Sequence, residues 1–454
     1  MSHCPSDWKS DRLKDLAAIN ADSLPADTDS DYEFDYLEIS NVDYHGIVDP
    51  KAIERLRYED APSRARRRVA NNCTVISSVR PNLQAVAFAN NGCKDFICST
   101  GFNVVQPAEH KLSPKFAYYA LISEGARQYF ESTAKGVGYP AVDDKDFDSF
   151  LVPLPPPPEQ QRIAAYLGAS CAAIDAAVAA KRRQLETLDT LRKSTIQRAV
   201  TRGISSRVTL ESTGNVWMEQ IPRGWKLICL KRIAEIQGGL TLGKQYEGPL
   251  IERPYLRVGN VQDGHLDLDE VSVIELPAKA AAGVELRPGD VLMTEGGDLD
   301  KLGRGYLWNG EIPGCLHQNH IFAVRCFLHK LKPMFLTHLT AAQYGRDYFG
   351  ATGKKTTNLA CTKANKVGEF PIPLPPLPEQ ETICMHLDEK LGELKRLAVG
   401  IETQIATLTD YRKSLIHECV TGQRRVREAD VRRAGGCPIT PDDCTSNRPK
   451  KSDG

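Results

Sequence analysis

The chain is written twice, and this constrains its fold more than any other feature. The segment Val-Pro-Leu-Pro-Pro-Pro-Pro-Glu-Gln at 152–160 returns as Ile-Pro-Leu-Pro-Pro-Leu-Pro-Glu-Gln at 372–380. The match runs on without a gap through Ile163/Ile383, Leu167/Leu387 and Thr187-Leu188/Thr407-Leu408. It ends on Arg192-Lys193-Ser194/Arg412-Lys413-Ser414, Ile196/Ile416 and Val200-Thr201/Val420-Thr421. Weaker echoes lie upstream: Trp8-Lys9 with Trp225-Lys226, Tyr36–Val42 with Tyr255–Val261, and Arg127-Gln128-Tyr129-Phe130 with Arg346-Asp347-Tyr348-Phe349. The period is far longer than the roughly 20–50 residues of a solenoid repeat. The pattern is a tandem duplication, each half a variable globular unit followed by a similar tail.

The tails read as long helices. After the extended proline run, Glu159 and Glu379 fall where a first helical turn welcomes acid. In the second copy an apolar stripe runs Ile383, Leu387, Leu391, Leu394, Leu397, Ile401, Ile405, Leu408, Leu415, in steps near helical spacing. The first copy is richer in alanine: Ile163, Leu167, Ile174, Val178, Leu185, Leu188, Ala199. Roughly forty residues give a rod of about 60 Å, and a rod with one apolar stripe needs a partner; its own copy, packed antiparallel as a coiled coil, is the expected one. The globular units read as mixed α/β, with strand-like runs at Thr74–Ile76, Tyr255–Val258 and Ile321–Val324 and helices near 114–130 and 333–349. The expected organisation is a first globular domain at 1–150, a central helical spacer at 151–203, a second globular domain at 204–370, a distal spacer at 371–424 and a disordered tail at 425–454.

Composition narrows the function classes. The chain has 454 residues with 58 basic and 58 acidic side chains, but the neutral total hides a split between an acidic stretch at 1–60 and a basic one at 61–203. A local basic face is what phosphate binding requires. No apolar run reads as a membrane span, and the N-terminus carries no secretory signal pattern. Thirteen cysteines, none in a C-x-x-C pair, suggest neither a disulfide framework nor a zinc site, so a reduced, cytoplasmic chain is expected. His317 and His320 lack a second ligand pair and read as structural or surface histidines.

Three motifs suggest chemistry and fall short of it. Gly238-Gly239-Leu240-Thr241-Leu242-Gly243-Lys244-Gln245 nearly fits a P-loop, but Gln245 stands where magnesium needs Ser or Thr, and Gly248-Pro249 blocks the helix. The Asp27/Asp29/Asp31 run with Glu38 mimics an EF-hand loop, yet Tyr32 occupies the obligatory glycine position. Asp143-Asp144-Lys145 lacks an upstream acidic partner. No catalytic constellation, metal site or cofactor loop emerges. The densest basic cluster is Arg64, Arg66, Arg67 and Arg68, and Lys354-Lys355-Thr356-Thr357-Asn358 is a comparable loop in the second half. Guanidinium forks suit phosphate and guanine edges; a merely solvated charge run is the plain alternative for each.

The two Pro-Leu-Pro-Pro-x-Pro-Glu-Gln segments, each opening a long helix that carries Arg-Lys-Ser near its end, resemble the specificity subunit of type I restriction-modification systems. The resemblance spans about residues 8–423. Glu59–Arg67 and Ser78–Leu83 resemble one target-recognition domain, and Pro254–Val261 with Lys301–Gly305 another. The resemblance implies a non-catalytic DNA-recognition subunit without a cofactor of its own. Each half would read one part of a bipartite, asymmetric double-stranded DNA site. The paired helices would set the gap and dock methyltransferase (modification) subunits, a motor-nuclease (restriction) subunit joining for cleavage, with no membrane involved. Expected phosphate and base contacts are Arg64, Arg66, Arg67, Arg68 and Arg80 in the first half and Arg304, Lys354, Lys355 and Asn358 in the second. Two alternatives remain open: a specificity subunit serving a fused methylase-nuclease, and a protein-binding coiled-coil scaffold.

Overall fold

The computed structural model describes residues 5–436 apart from 43–47, 49–52, 84, 90–95, 263, 298–301 and 356–359. The chain forms two compact units, one comprising residues 1–182 and 403–454, the other residues 183–402. Each unit therefore holds one globular half, the first part of its own tail and the last part of the other.

In unit 1 a four-stranded sheet runs in the order Ala17–Ile19, Phe102–Pro107, Thr74–Ser77, Val86–Phe88, all antiparallel. Thr74–Ser77 is buried throughout, so this strand is covered on both faces. Successive side chains point to opposite faces, and the clusters follow that rule. Ile76, Val86 and Val105 join Phe116 and Leu121 of the helix Pro114–Leu121. Val75, Ala87 and Val104 join Leu37 and Cys98 of a second sheet, whose order is Glu54–Arg57, Glu33–Leu37, Phe96–Ser99, Ala65–Arg68.

Unit 2 repeats the plan. Its sheet runs Ala234–Gly238, Ile321–Cys326, Asp290–Thr294, Gly305–Leu307. Val291, Met293 and Val324 pack on Phe335, Leu336 and Leu339 of the helix Pro333–Ala341, while Leu292 and Ala323 face a separate cluster around Trp308 and Leu256. The glycine-rich run at 238–245 is explained by close packing: a Cβ on Gly239 would lie 2.3 Å from the Gln318 carbonyl oxygen. The acidic run at 27–31 forms turns that lead into Glu33–Leu37.

The single helices expected near 114–130 and 333–349 are each broken in two, at Ser123 and Ala342, whose backbones are extended. Ser123 caps the following helix Glu124–Thr133, its Oγ accepting from the Ala126 N–H at 3.3 Å. Ala342 has no side chain to do this for Gln343–Thr352. Gln197, from the end of the first tail, supplies its Oε1 to the Tyr344 N–H at 2.9 Å instead. Both solutions answer the same need, because the first N–H groups of a helix have no partner within it.

The tails are continuous helices, Pro157–Arg202 (46 residues) and Leu377–Thr421 (45 residues). They begin inside the proline run and not after it, because a first-turn proline lacks only an N–H that no intrahelical acceptor awaits. Gln160 then locks each start. Its Nε2 donates to the carbonyls of Pro155 (2.9 Å) and Lys111 (3.1 Å), and its Oε1 accepts from Ser113 N–H (2.7 Å). Gln380 does the same with Pro375, Lys330 and Lys332, at 2.9, 2.9 and 2.8 Å. Both glutamines are buried. The repeated Pro-Glu-Gln is thus a joint that ties a long helix to the loop before the sheet-covering helix.

Within unit 1 Ile163, Leu167, Cys171 and Ile174 share a core with Leu415, Ile416, Cys419 and Val420. Asp175 meets Arg412 at 3.0 Å, and Arg424 lies over the Tyr166 ring at 5.7 Å. The second number rises as the first falls, so these two segments run in opposite directions. Within unit 2 Ile383, Cys384 and Leu387 likewise share a core with Ile196, Ala199 and Val200. Two expectations are corrected, one in the first tail and one after the second. The first tail contains an 18-residue window apolar enough, by length and composition, to cross a membrane. The helix is rich in alanine, and its larger apolar side chains Ile163, Leu167, Ile174 and Val178 pack into the unit 1 core. After the second tail, the segment expected to be disordered from 425 carries a helix at Glu428–Gly436, with Val426 buried and Val431 packed on the same core. Among the described residues the cysteines are free thiols, mostly buried.

Candidate nucleic-acid interface

The arginine cluster of the first half lies at and within an edge strand, Ala65–Arg68, and the alternation of that strand divides it. Arg66 stacks over the Tyr58 ring at 4.7 Å, and Arg68 lies 5.9 Å from the Tyr32 ring centre and 3.8 Å from Asp22. Arg67 points the other way. It is half-buried, donates to the Phe102 carbonyl and, at 3.0 Å, to Asn103 Oδ1, and burial pulls its pKa below the usual arginine value. Its donors are committed to holding the two sheets of unit 1 together, so it is a positioning group. Arg64, exposed, pairs with Glu38.

The acidic and basic stretches that look separate in the sequence meet at Arg64–Glu38 and Arg68–Asp22, and the acidic stretch also pairs within itself. Arg55 meets Glu33 and Asp35, and Arg57 meets Asp31, Glu59 and Asp60, at 2.9–3.5 Å. All these pairs are solvent-exposed, where an ion pair contributes little, about 0–1 kcal/mol. A phosphate can exchange with such a carboxylate at small cost.

Arg80 belongs to a different construction. Residues 135–141 form a hairpin in which Lys135 and Ala141 exchange backbone hydrogen bonds at 2.8 and 2.9 Å, and Ala141 also bridges to Val79. Arg80 N–H donates to Pro140 at 2.7 Å, and its guanidinium sits over the Tyr139 ring at 4.4 Å. The φ of Arg80 is +50°, a conformation costly for a side chain this large and found where the surroundings impose it. At the tip Val137 is bare to solvent and Tyr139 is 73 % exposed. Unit 2 builds the same element from Gly296–Gly297, Ala360–Cys361 and Lys354–Lys355. Gly353 leaves room for Leu302, whose Cδ1 would lie 2.5 Å from a Cβ there, so the Arg304 loop abuts the Lys354 hairpin. Lys354 is exposed and Arg304 half-buried; the Lys355 side chain and Asn358 lie outside the described residues.

The structure therefore sets Arg80 beside the hairpin of unit 1 and Lys354 on the equivalent hairpin of unit 2, where it matches Lys135, and leaves Arg64–Arg68 elsewhere in unit 1. Val137 and Tyr139 carry no charge and escaped the sequence reading; their signal is the Gly136-Val137-Gly138-Tyr139-Pro140 turn, which puts apolar side chains where a loop usually has polar ones. His317 is buried and hydrogen-bonded to the Ile321 carbonyl at 2.9 Å, while His320 pairs with Glu295 at 2.9 Å. Asp143 accepts from Lys135 at 2.6 Å. Among the described residues no group of His, Cys, Asp and Glu is arranged to hold a metal ion.

Comparison with known proteins agrees with this architecture. Residues 5–187 match the family model described as the type I restriction modification DNA specificity domain. The MjaVIII specificity subunit of Methanocaldococcus jannaschii is 25% identical over 69% of this chain and 70% of its own length. The EcoKI specificity subunit of Escherichia coli K12 is 22% identical over 70% or so of each chain (72% here, 69% there). Among solved structures, a chain of a type I R-M system superposes with a TM-score of 0.75 at 21% identity, covering 93% of this chain and all of its own. The HsdS subunit of Thermoanaerobacter tengcongensis superposes with 0.53 at 22%, over 92% and 98%. Over these stretches the chain is similar to the specificity subunits of type I restriction enzymes.

Proposed function

We propose that the two units read the two parts of a bipartite double-stranded DNA site, each through its exposed hairpin and the cations beside it. The long helices pack antiparallel as a coiled-coil spacer that fixes the gap and docks methyltransferase subunits. A restriction subunit joins for cleavage, and the assembly works in the cytoplasm.

One observation carries this reading: the same three-stranded element is built in both units, and the sequence between its paired strands differs. Val137 and Tyr139 with Arg80 suit thymine methyls, base faces and a guanine edge, whereas Lys354, Lys355 and Asn358 suit phosphates and an adenine edge. Unlike hairpins imply unlike half-sites, and so an asymmetric target. Arg66 and Arg68 on the edge strand of unit 1 add backbone contacts, which position without specifying.

Methylation mapping by single-molecule sequencing, with the gene intact and deleted, tests the reading. A split asymmetric motif that loses methylation on deletion is the expected result. An unchanged methylome in a strain whose neighbouring methyltransferase is active contradicts it and favours a protein-binding scaffold.

A further inference from the structure

The two units fill one equivalent place differently. In unit 1 it is packed with rings and an ion pair. Phe88 lies 5.9 Å from Tyr118, and Tyr118 lies 5.2 Å from Tyr119. Beside them Arg412, its side chain 14% exposed, pairs with Asp175 at 3.0 Å. Ile174, Val178, Ile405 and Leu408 pack around them in one core.

At the matching positions unit 2 carries Leu307 for Phe88, Thr337 for Tyr118, His338 for Tyr119, Arg192 for Arg412 and Lys395 for Asp175. Three rings shrink to smaller side chains, Asp175 is replaced by a second cation, and Arg192 pairs instead with Asp189 at 3.2 Å. The result is a cavity of about 660 Å³ between the helix Pro333–Ala341, the strand Gly305–Leu307 and the two long-helix segments of unit 2, with Leu188, Leu391 and Leu394 among its apolar walls. Ligand pockets typically run about 300–1,000 Å³ with few, well-placed polar groups. Here those groups are Arg192, Arg304, Lys395 and His338, with the carboxylates Asp189 and Glu402 also in the lining. His338 is 7% exposed, and its Nε2 has no hydrogen-bond partner among the described residues. Asp388 stands 3.8 Å away, beyond hydrogen-bond range. A buried polar group left in this state is costly unless a ligand or water completes it.

The filled copy describes what the hollow one lacks: aromatic bulk, and a carboxylate at the position of Lys395, since Arg192 already pairs with Asp189. We propose that the cavity of unit 2 binds a small aromatic carboxylate, its ring beside Thr337 and His338, where Tyr118 and Tyr119 stand in unit 1, and its carboxylate on Lys395, where Asp175 stands. Arg304 is shared with the loop beside the Lys354 hairpin, and binding here is read without DNA.

The test titrates 2-naphthoate into the full chain and follows probe fluorescence and thermal unfolding. Saturable binding at submillimolar concentration with a rise in Tm is expected, and neutral 2-naphthol should bind at least tenfold more weakly. Lys395→Asp, an exposed change that recreates the carboxylate of unit 1, should weaken naphthoate at least tenfold. The double change Thr337→Tyr with His338→Tyr should abolish binding by filling the space. Lys395→Asp keeps the proposal testable should the double variant not fold. Absence of saturable binding, equal affinity for 2-naphthol, or unchanged affinity in the Lys395→Asp protein would overturn the proposal.

Discussion

Set side by side, the two halves agree at their joints and differ at their surfaces and seams. Gln160 and Gln380 make the same three hydrogen bonds to equivalent loop positions. Each long helix also ends on a glycine of positive φ, Gly203 at +73° and Gly422 at +77°, as a left-handed cap requires. Gly422 lies against Trp8 of unit 1, and Gly203 lies against Trp225 and Glu379 of unit 2. Away from the joints the copies solve the same problems with different residues: Ser123 or Gln197 for a helix cap, and Asp175 or Asp189 as the carboxylate that meets the seam arginine. The lesson is that one connection between a globular half and a long helix tolerates little change, while the hairpin it presents is free to vary.

The largest expected effect tests the agreement. Gln160→Leu and Gln380→Leu each orphan two buried carbonyls and an N–H, at about 1–3 kcal/mol per group. Both should destabilise their own unit by about 4 kcal/mol, read as a lowered urea midpoint in local probes. A large loss in one and none in the other would break the equivalence of the joints.

Next comes the seam. Asp175→Lys copies unit 2 into unit 1 and leaves the mostly buried Arg412 facing a like charge. A loss of about 2–4 kcal/mol is expected, whereas Lys395→Asp should cost nothing. The caps come third: Ser123→Ala in unit 1 and Gln197→Ala in unit 2 should each cost about 1 kcal/mol, measured by thermal unfolding.

The smallest effect is a pH dependence confined to unit 1. Hydrogen bonding from Arg127 lowers the Glu124 carboxyl from 4.5 to about 2, and the matching residue in unit 2 is Gln343. A depressed folded-state pKa adds stability above the unfolded value that fades as pH falls toward the folded one. Glu124→Gln should therefore be less stable than the parent at pH 6, and the gap should close between about pH 4.5 and 2. A gap that persists at pH 2 would assign the loss to packing.

The duplication, the two long helices and the mixed α/β halves were legible in the sequence, because repeats and apolar spacing are local patterns. The chemistry of the Pro-Glu-Gln motif was not: acid in a first turn explains Glu159, whereas Gln160 works through carbonyls nearly fifty residues away. The broken helices were hidden for the same reason, since Gln197 caps a segment more than a hundred residues downstream. Charge runs misled. Arg64–Arg68 drew attention as a block, but strand alternation commits Arg67 to internal hydrogen bonds, while Arg66 stacks on Tyr58 and Arg64 and Arg68 meet Glu38 and Asp22. Arg80 and Lys354 are exposed cations, while Val137 and Tyr139 beside Arg80 carry no charge to notice.

The central claim is that each unit reads its own half-site. Methylation mapping of cells carrying either Tyr139→Ala with Arg80→Ala or Lys354→Ala with Lys355→Ala tests it most directly. The account predicts that the first pair relaxes or weakens one half of the split motif, the second pair affects the other half, and neither alters the gap. Both pairs changing the same half, or neither changing the motif or its occupancy, would contradict it.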